Sequence, residues 1–329
     1  MTDRNPQPES KSLMPSWLAV AMSRKLAPYT SLLAMAVILS ILSPHFLTVN
    51  NLFAIGLQMA VIAIMAIGQM MIIVSAGIDP SVGSVMALSG VISTMLIVAG
   101  VPIWLGVLVG TLVGGFSGVL NGLMIAYGFI PPFIATLGMM GIARGAALLL
   151  TGGVPIFGLP KAFNFLGGGR VLGVVPIPVV ILTVLAVLGH FVLTRTKFGR
   201  YVFAIGSNAE AARLSGINVR LMLTRIYTYA GLLYGFAGVL MASRLSTGQP
   251  TAGTGYELDV IAACVIGGAS LSGGEGTVLG AIMGALIMGV LRNGCNLLDI
   301  SAFWQQIAIG AVIVVAVFAD QYRKHRGKS

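Results

Sequence analysis

The sequence predicts an all-α polytopic membrane protein of about ten transmembrane helices, with an inverted repeat and broken helices. Three observations carry this. The 329-residue chain is 57% hydrophobic and only 9% charged, with mean hydropathy +0.97, where a soluble domain carries about 25% charged residues. Its apolar residues fall into ten runs, most of them near the roughly 20 residues that a bilayer-spanning helix needs. Its basic residues gather mainly between and beyond those runs. The formal net charge of +10 is thus a mark of membrane topology. Lipid bilayer is the expected surround and nucleic acid is not an expected partner, because the cations are not interleaved with aromatics on one face.

In chain order, residues 1–26 read as a polar cytoplasmic leader ending at Arg24-Lys25. The first apolar run, about 27–43, is closed by Ser43-Pro44 and reads as a retained anchor, since no small-residue cleavage site follows it. The next runs are about 52–75, a third that follows Gly77-Ile78-Asp79-Pro80 and reaches about 99, then 103–126 and 132–151. A Gly/Pro-rich stretch, 152–175, leads to a run at 176–194 and then to a basic loop, 195–222. Further runs cover about 223–243, 257–271, 276–291 and 303–319. Residues 27–319 thus form one transmembrane domain, and 320–329 a basic cytoplasmic tail. The runs at 257–271 and 276–291 are short, so one of the two is expected to be a broken or tilted helix.

Orientation follows from charge. With the N-terminus in the cytoplasm, ten spans return the C-terminus there. Fourteen cations then lie inside: Arg4, Lys11, Arg24 and Lys25, then Arg195, Lys197, Arg200, Arg213, Arg220 and Arg225, then Arg323, Lys324, Arg326 and Lys328. Four (Lys161, Arg170, Arg244 and Arg292) lie outside, as the positive-inside bias requires. Within the basic loop, Ser207 to Leu214 reads as a short helix. Ser207 or Asn208 is its N-cap, Glu210 falls in the favourable first turn, and Gly216 closes it. A capped cytoplasmic helix between two membrane segments offers a partner protein something to grip.

Two halves echo each other. Gly118-Val119-Leu120-Asn121-Gly122 recurs as Gly289-Val290-Leu291-Arg292-Asn293-Gly294 with one insertion, and Gly77-Ile78-Asp79 resembles Glu257-Leu258-Asp259. The runs concerned cross in opposite directions, so the repeat is inverted, a transporter trait. Glycines at 106, 110, 114, 118 and 122 line one helical face and allow close approach of another helix, as do Gly276, Gly280 and Gly284. That approach serves packing within the chain or a sliding contact. Asp79 suits an N-cap with Pro80 at the first helical position, so a helix starts there, inside the membrane if protein or a cavity surrounds it. Arg144 sits deep in its run and needs a partner. An ion pair with Asp79, Glu257 or Asp259 is the expectation.

Other chemistry finds little support. Cys264 and Cys295 show no CxxC and read as apolar packers. His45, His190 and His325 match no ligand spacing, so no metal is expected. GxxxxGK[ST], HExxH and GxSxG are all missing, which leaves the chain without an ATPase site or catalytic signature of its own.

Four stretches are more specific than any of these patterns: GQMMIIVSAGIDPSVGSVMALSG (68–90), NGLMIAYGFIPPFIATLGMMGIARG (121–145), FGRYVFAIGSNAEAARLSGINV (198–219) and GYELDVIAACVIGGASLSGGEGTVLG (255–280). With them the chain resembles the ribose-type permease family of bacterial ABC sugar importers, over about residues 27–319. Pro80 departs from the Leu usual in such permeases, and is compatible with the same backbone. The resemblance implies a multi-pass subunit of the bacterial cytoplasmic (inner) membrane that pairs with a second permease, identical or related. It implies a cytoplasmic ATP-binding cassette subunit carrying ATP and magnesium, and a periplasmic sugar-binding protein. It maps the ATPase-coupling helix onto Ser207, Asn208, Ala209, Glu210, Ala211, Ala212, Arg213, Leu214, Ser215 and Gly216. A sugar path needs hydroxyls and amides, for which Gln69, Asn121, Thr136 and Asn293 are candidates beside Asp79, each also able to serve as helix-to-helix glue. The alternative class is a stand-alone secondary transporter or channel for a small polar solute, which has no use for a grip at 207–216.

Overall fold

The computed structural model describes residues 16–326, and the first residues of the leader and the last three of the tail lie outside them. The main helices are α1 (Ser16–Leu42), α2 (Val49–Val74), α3 (Val82–Val98), α4 (Ile103–Ala126) and α5 (Pro132–Thr151). After these come α6 (Lys161–Gly168), a hairpin of β1 (Arg170–Val171) and β2 (Val175–Pro176), and α7 (Ile177–Arg195). The second half holds α8 (Lys197–Ser207), α9 (Ala209–Leu214), α10 (Val219–Leu245), α11 (Tyr256–Ile266), α12 (Val278–Leu297) and α13 (Ala302–Arg326). Among the described residues six helices (α2, α4, α5, α7, α10 and α12) are long and apolar enough to cross a membrane by themselves, and parts of α1, α3 and α13 form shorter apolar helices. The remaining expected run, 257–271, is α11, only 11 residues long. It is a broken element, as its length suggested.

Burial sorts the helices into a centre and a rim. Every residue of α2 from Met59 to Val74 is buried, so this helix, apolar all round, has protein on every side. The most apolar 18-residue stretch of α10 is 72% buried, whereas that of α7 is 22% buried and its remaining surface is left for lipid. α2 and α10 pack together at the centre. The most extensive contact in the molecule joins α4 to α10, and α12 packs on α2. α3 lies against α10, α4 and α5, and α11 lies against α12, α2 and α13. The third helix of each half thus rests on the first helix of the other, an exchange that the repeated motifs of α4 and α12 anticipate.

The glycine stripe of α4 explains the tightest of these contacts. A Cβ on Gly114 would run into the carbonyl of Gly231 and stand 2.6 Å from the Cα of Gly235, and one on Gly118 would meet the carbonyl of Tyr227. Backbone therefore touches backbone, which is how helices gain contact where lipid removes the hydrophobic drive. The stripe is used within this chain, against α10 and α3. On α12, Gly280 and Gly284 likewise admit α11 at Gly267 and Ala263.

The Gly/Pro-rich stretch 152–175 packs on α10: Phe163 of α6 is fully buried, and the Ser243 hydroxyl of α10 accepts from Gly167 N and donates to Phe163 O, both at 2.6 Å. Two expectations need correction. Arg292 is no outer-loop cation. It lies within α12 and pairs with Asp259 at 2.6 Å. Arg144 makes no ion pair among the described residues and instead donates to the carbonyls of Pro250 (2.5 Å) and Ala252 (3.0 Å).

Gly114→Leu should lower stability by about 3 kcal/mol or more, because the incoming side chain has only backbone to displace. Gly145→Ala, where a Cβ meets nothing within 4 Å, should be neutral or stabilise by up to about 1 kcal/mol. Thermal unfolding of the two variants in detergent reads the contrast, and equal melting temperatures would contradict the packing account.

Candidate translocation core and coupling helix

α2 ends at Val74, and the chain resumes as α3 only at Val82. Between them Ser75, Gly77, Asp79, Pro80 and Ser81 are buried outside regular helix; the end of α2 still serves Ser75 N, through Met71 O (3.1 Å), and Gly77 N, through Ile72 O (2.9 Å). Irregular backbone at such a place needs partners from elsewhere. Gln69 supplies two. In the amide orientation that satisfies both its ends, Nε2 donates to Tyr234 Oη (2.7 Å) and Asp79 O (3.2 Å), and Oε1 accepts from Asp79 N (3.2 Å). Thr136 Oγ1 stands 3.1 Å from Ile78 O and 2.8 Å from Pro132 O. The Asp79 carboxylate accepts from Ser81 N (2.8 Å) and Ser81 Oγ (2.5 Å). Asn121 Nδ2 reaches Ser81 Oγ at 3.3 Å.

Four of the five candidate path residues, Gln69, Asp79, Asn121 and Thr136, therefore converge on one break from α2, α4, α5 and the approach to α3. All four are at most 2% exposed. The expected cap is corrected: α3 begins at Val82, two residues later than a Pro80 start implies, with Ser81 at the N-cap position, and the Asp79 carboxylate instead closes the turn before the helix by accepting from Ser81 N. Asn293 is elsewhere. It pairs reciprocally with Asn51 (3.0 and 2.7 Å) near the other end of α2, 18 residues from Gln69 and so about 27 Å away along the axis.

The second half repeats the plan with different chemistry. After α10 the chain passes through Gly253 and Gly255, both at positive φ, into α11. Arg144 holds the carbonyls of this passage. A Cβ on Gly83 would strike the carbonyl of Gly253 and come 3.0 Å from Glu257 Oε2, so the starts of α3 and α11 meet. Asp259, fully buried, faces Arg292 of α12, whose guanidinium lies 5.9 Å from the Tyr256 ring. In the aligned Gly-Val-Leu motifs Arg292 takes the place of Asn121, and Asp259 that of Asp79. Each break thus sets an acid opposite the same turn of the third helix. The repeat held the signal for the Asp259–Arg292 pair, which residue-by-residue reading missed.

In the basic loop the structure adds α8 to the one short helix that the sequence suggests. Thr196 caps it by accepting from Gly199 N (3.2 Å). At its far end a Cβ on Gly206 would meet Val74 O, the last carbonyl of α2, and Gly274 N. α9 follows with Asn208 as N-cap, accepting from Ala211 N (2.9 Å). Gly216 at φ +85° closes it: Gly216 N donates to Arg213 O (3.0 Å) and Ile217 N to Ala212 O (3.1 Å), a full Schellman motif. Ala212 is the buried foot of α9, packed with Ile205 and Met222. Its outer surface carries Leu214, 74% exposed, and the Glu210–Arg213 pair. The hydrogen bond from Arg213 holds the Glu210 carboxyl below its ordinary range.

Gln69→Leu strands the backbone of Asp79 and the Tyr234 hydroxyl, and should cost about 2–4 kcal/mol. Asp79→Leu strands the Ser81 donors, and should cost about 1–3 kcal/mol. Thermal unfolding with both variants in parallel measures this, and an unchanged melting temperature in Gln69→Leu would refute the satisfaction of the break.

The family described as branched-chain amino acid transport system permease component matches residues 51–317. The ribose import permease RbsC of Escherichia coli (strain K12) is 44% identical over 89% of this chain and 92% of its own length. RbsC of Bacillus subtilis (strain 168) is 43% identical over 91% and 93%, and the L-arabinose permease AraH of Azospirillum brasilense 39% identical over 88% and 86%. No solved structure matches the chain. Its six long apolar helices suit a multi-pass inner-membrane protein, and the chain belongs to this permease family, among the ribose-type membrane subunits of bacterial ABC importers.

Proposed function

We propose that the chain carries a monosaccharide, a ribose-like pentose or a hexose, across the cytoplasmic membrane by alternating access. ATP and magnesium bind in a cytoplasmic partner, a periplasmic binding protein delivers the sugar, and a second permease completes the membrane unit. The observation that carries this reading is α9: a short helix capped at both ends, with one buried foot and an exposed outer face, in a loop that faces the cytoplasm by charge. A stand-alone carrier has no use for it. What supports the sugar is the relatives themselves, a ribose import permease and an L-arabinose permease among them.

The mechanism follows from what α9 stands on. An ATPase that grips Leu214 and the neighbouring exposed residues moves α9, and with it α8. The end of α8 bears on Val74 O and on Gly273-Gly274, the exits of α2 and α11. Displacement there reaches the break at 75–81, on which Gln69, Asp79, Asn121 and Thr136 converge and which we take as the gate of the path. Asn293 with Asn51 forms a second polar contact toward the other side. The two access states differ because the partner contacts α9 differently in each. Sugars are neutral, so amides and hydroxyls suffice to line their way.

Cells lacking this chain should lose ATP-dependent uptake of one labelled sugar from a panel of pentoses and hexoses, and regain it on re-expression. Uptake that follows an ion gradient instead would favour a secondary carrier. Gly216→Trp should cost about 1–2 kcal/mol locally, since its φ disfavours a side chain, and should separate ATP hydrolysis from uptake. Leu214→Glu should leave melting unchanged and abolish co-purification with the ATPase. Wild-type uptake in both variants would refute the coupling role.

A further inference from the structure

A crevice opens between the end of α7, α8 and the first half of α10. Its walls are Val192, Phe198, Thr228, Tyr229 and Leu232, Arg225 stands at its mouth, and its volume is about 310 Å³. The rings of Phe198 and Tyr229 stand 6.3 Å apart and form a continuous apolar wall. The Thr228 hydroxyl is spent on the carbonyl of Thr224 (2.7 Å), which leaves Arg225 as the charged feature, beside the Tyr229 hydroxyl. Arg225 is exposed and takes part in neither ion pair found among the described residues. The same holds for Arg195, Lys197 and Arg200, on the two elements that flank the mouth.

The crevice is polarised along its length. Leu232 lies seven residues beyond Arg225, about 10 Å deeper along α10. One end is cationic, where the helices leave the membrane, and the other is apolar, within it. Beyond Arg225 and the Tyr229 hydroxyl these walls are apolar, too few polar groups to hold a polyol by its several hydroxyls or to read a nucleotide base. A phosphodiester with an attached hydrocarbon chain matches both ends at once, and basic pockets between membrane helices at the cytoplasmic surface suit such headgroups.

We propose that this crevice binds an anionic phospholipid, with the phosphate on Arg225 and one acyl chain along Phe198, Tyr229 and Leu232. Arg195 and Lys197 add long-range attraction at the mouth. The bound lipid braces α8 against α7 and α10, and α8 is the element on which α9 stands. The site depends only on the loop lying at a membrane surface, and so stands whichever solute the chain transports.

The test uses the full chain, purified in detergent and stripped of lipid, with thermal unfolding followed as phosphatidylglycerol, phosphatidylcholine of the same chain length, or inorganic phosphate is added. Phosphatidylglycerol should raise the melting temperature saturably, with half-saturation at least ten-fold below that of phosphatidylcholine, and phosphate should do nothing. Arg225→Gln, at an exposed position, should bring phosphatidylglycerol to the phosphatidylcholine level. Val192→Trp, which fills the crevice, should abolish the saturable shift. Equal responses to the two lipids, or an undiminished response in Arg225→Gln, would overturn the proposal. A phosphate effect of the same size would replace it with a free-anion site. Val192→Trp that alters oligomeric state while keeping the lipid response would make the crevice a contact between copies.

Discussion

Everything in this molecule accommodates a short stretch of backbone that is buried and not helical. An amide or carbonyl without a partner in an apolar medium costs several kcal/mol, and residues 75–81 would leave several such groups. Gln69 meets Asp79 with both ends of its amide, Thr136 reaches Ile78 O, and Asp79 itself serves Ser81. These groups come from different helices, so satisfying the break fixes α2, α4 and α5 relative to one another. Apolar contact alone does not do this in lipid, where it has little direction.

The two halves solve the same problem by different means. The first break is held by neutral amides and hydroxyls around one acid. The second is held by charge: Asp259 against Arg292, and Arg144 against two carbonyls. Buried ion pairs are costly to open on one side only, so the second half resists a change that exposes one partner alone. The first half can exchange partners among groups of similar strength. A transporter built from paired halves thus has one stiff break and one adaptable one.

Much of this was legible in the letters. α4 and α5 have the bounds the sequence suggested, because Pro102 and Pro131 mark their starts and Gly152, at positive φ, ends α5. The cap of α9 could be read from Asn208, Glu210 and Gly216 in line. α8 escaped because its polar face blends into a basic loop, and apolar run length does not register an amphipathic helix. Arg144 was assigned an acid because a backbone carbonyl has no letter of its own. The partners of the α4 glycines, Gly231 and Gly235, stand four residues apart in α10, a spacing the sequence does show, but nothing in the letters says which two glycine faces meet. Their role appears only when the two helices touch.

The complete burial of α2 bears on how the chain is made. This helix has mean hydropathy 2.2 over its best window, yet in the finished protein lipid touches little of it. Its main neighbours α10 and α12 are synthesised well after it, at least roughly ten to thirty seconds later for α10 at ordinary rates of translation. Until then α2 waits in the bilayer with Gln69 lacking its Tyr234 partner. Its apolar length is therefore a provision for the interval before folding, and the native contacts withdraw from lipid a helix that had to be stable there alone.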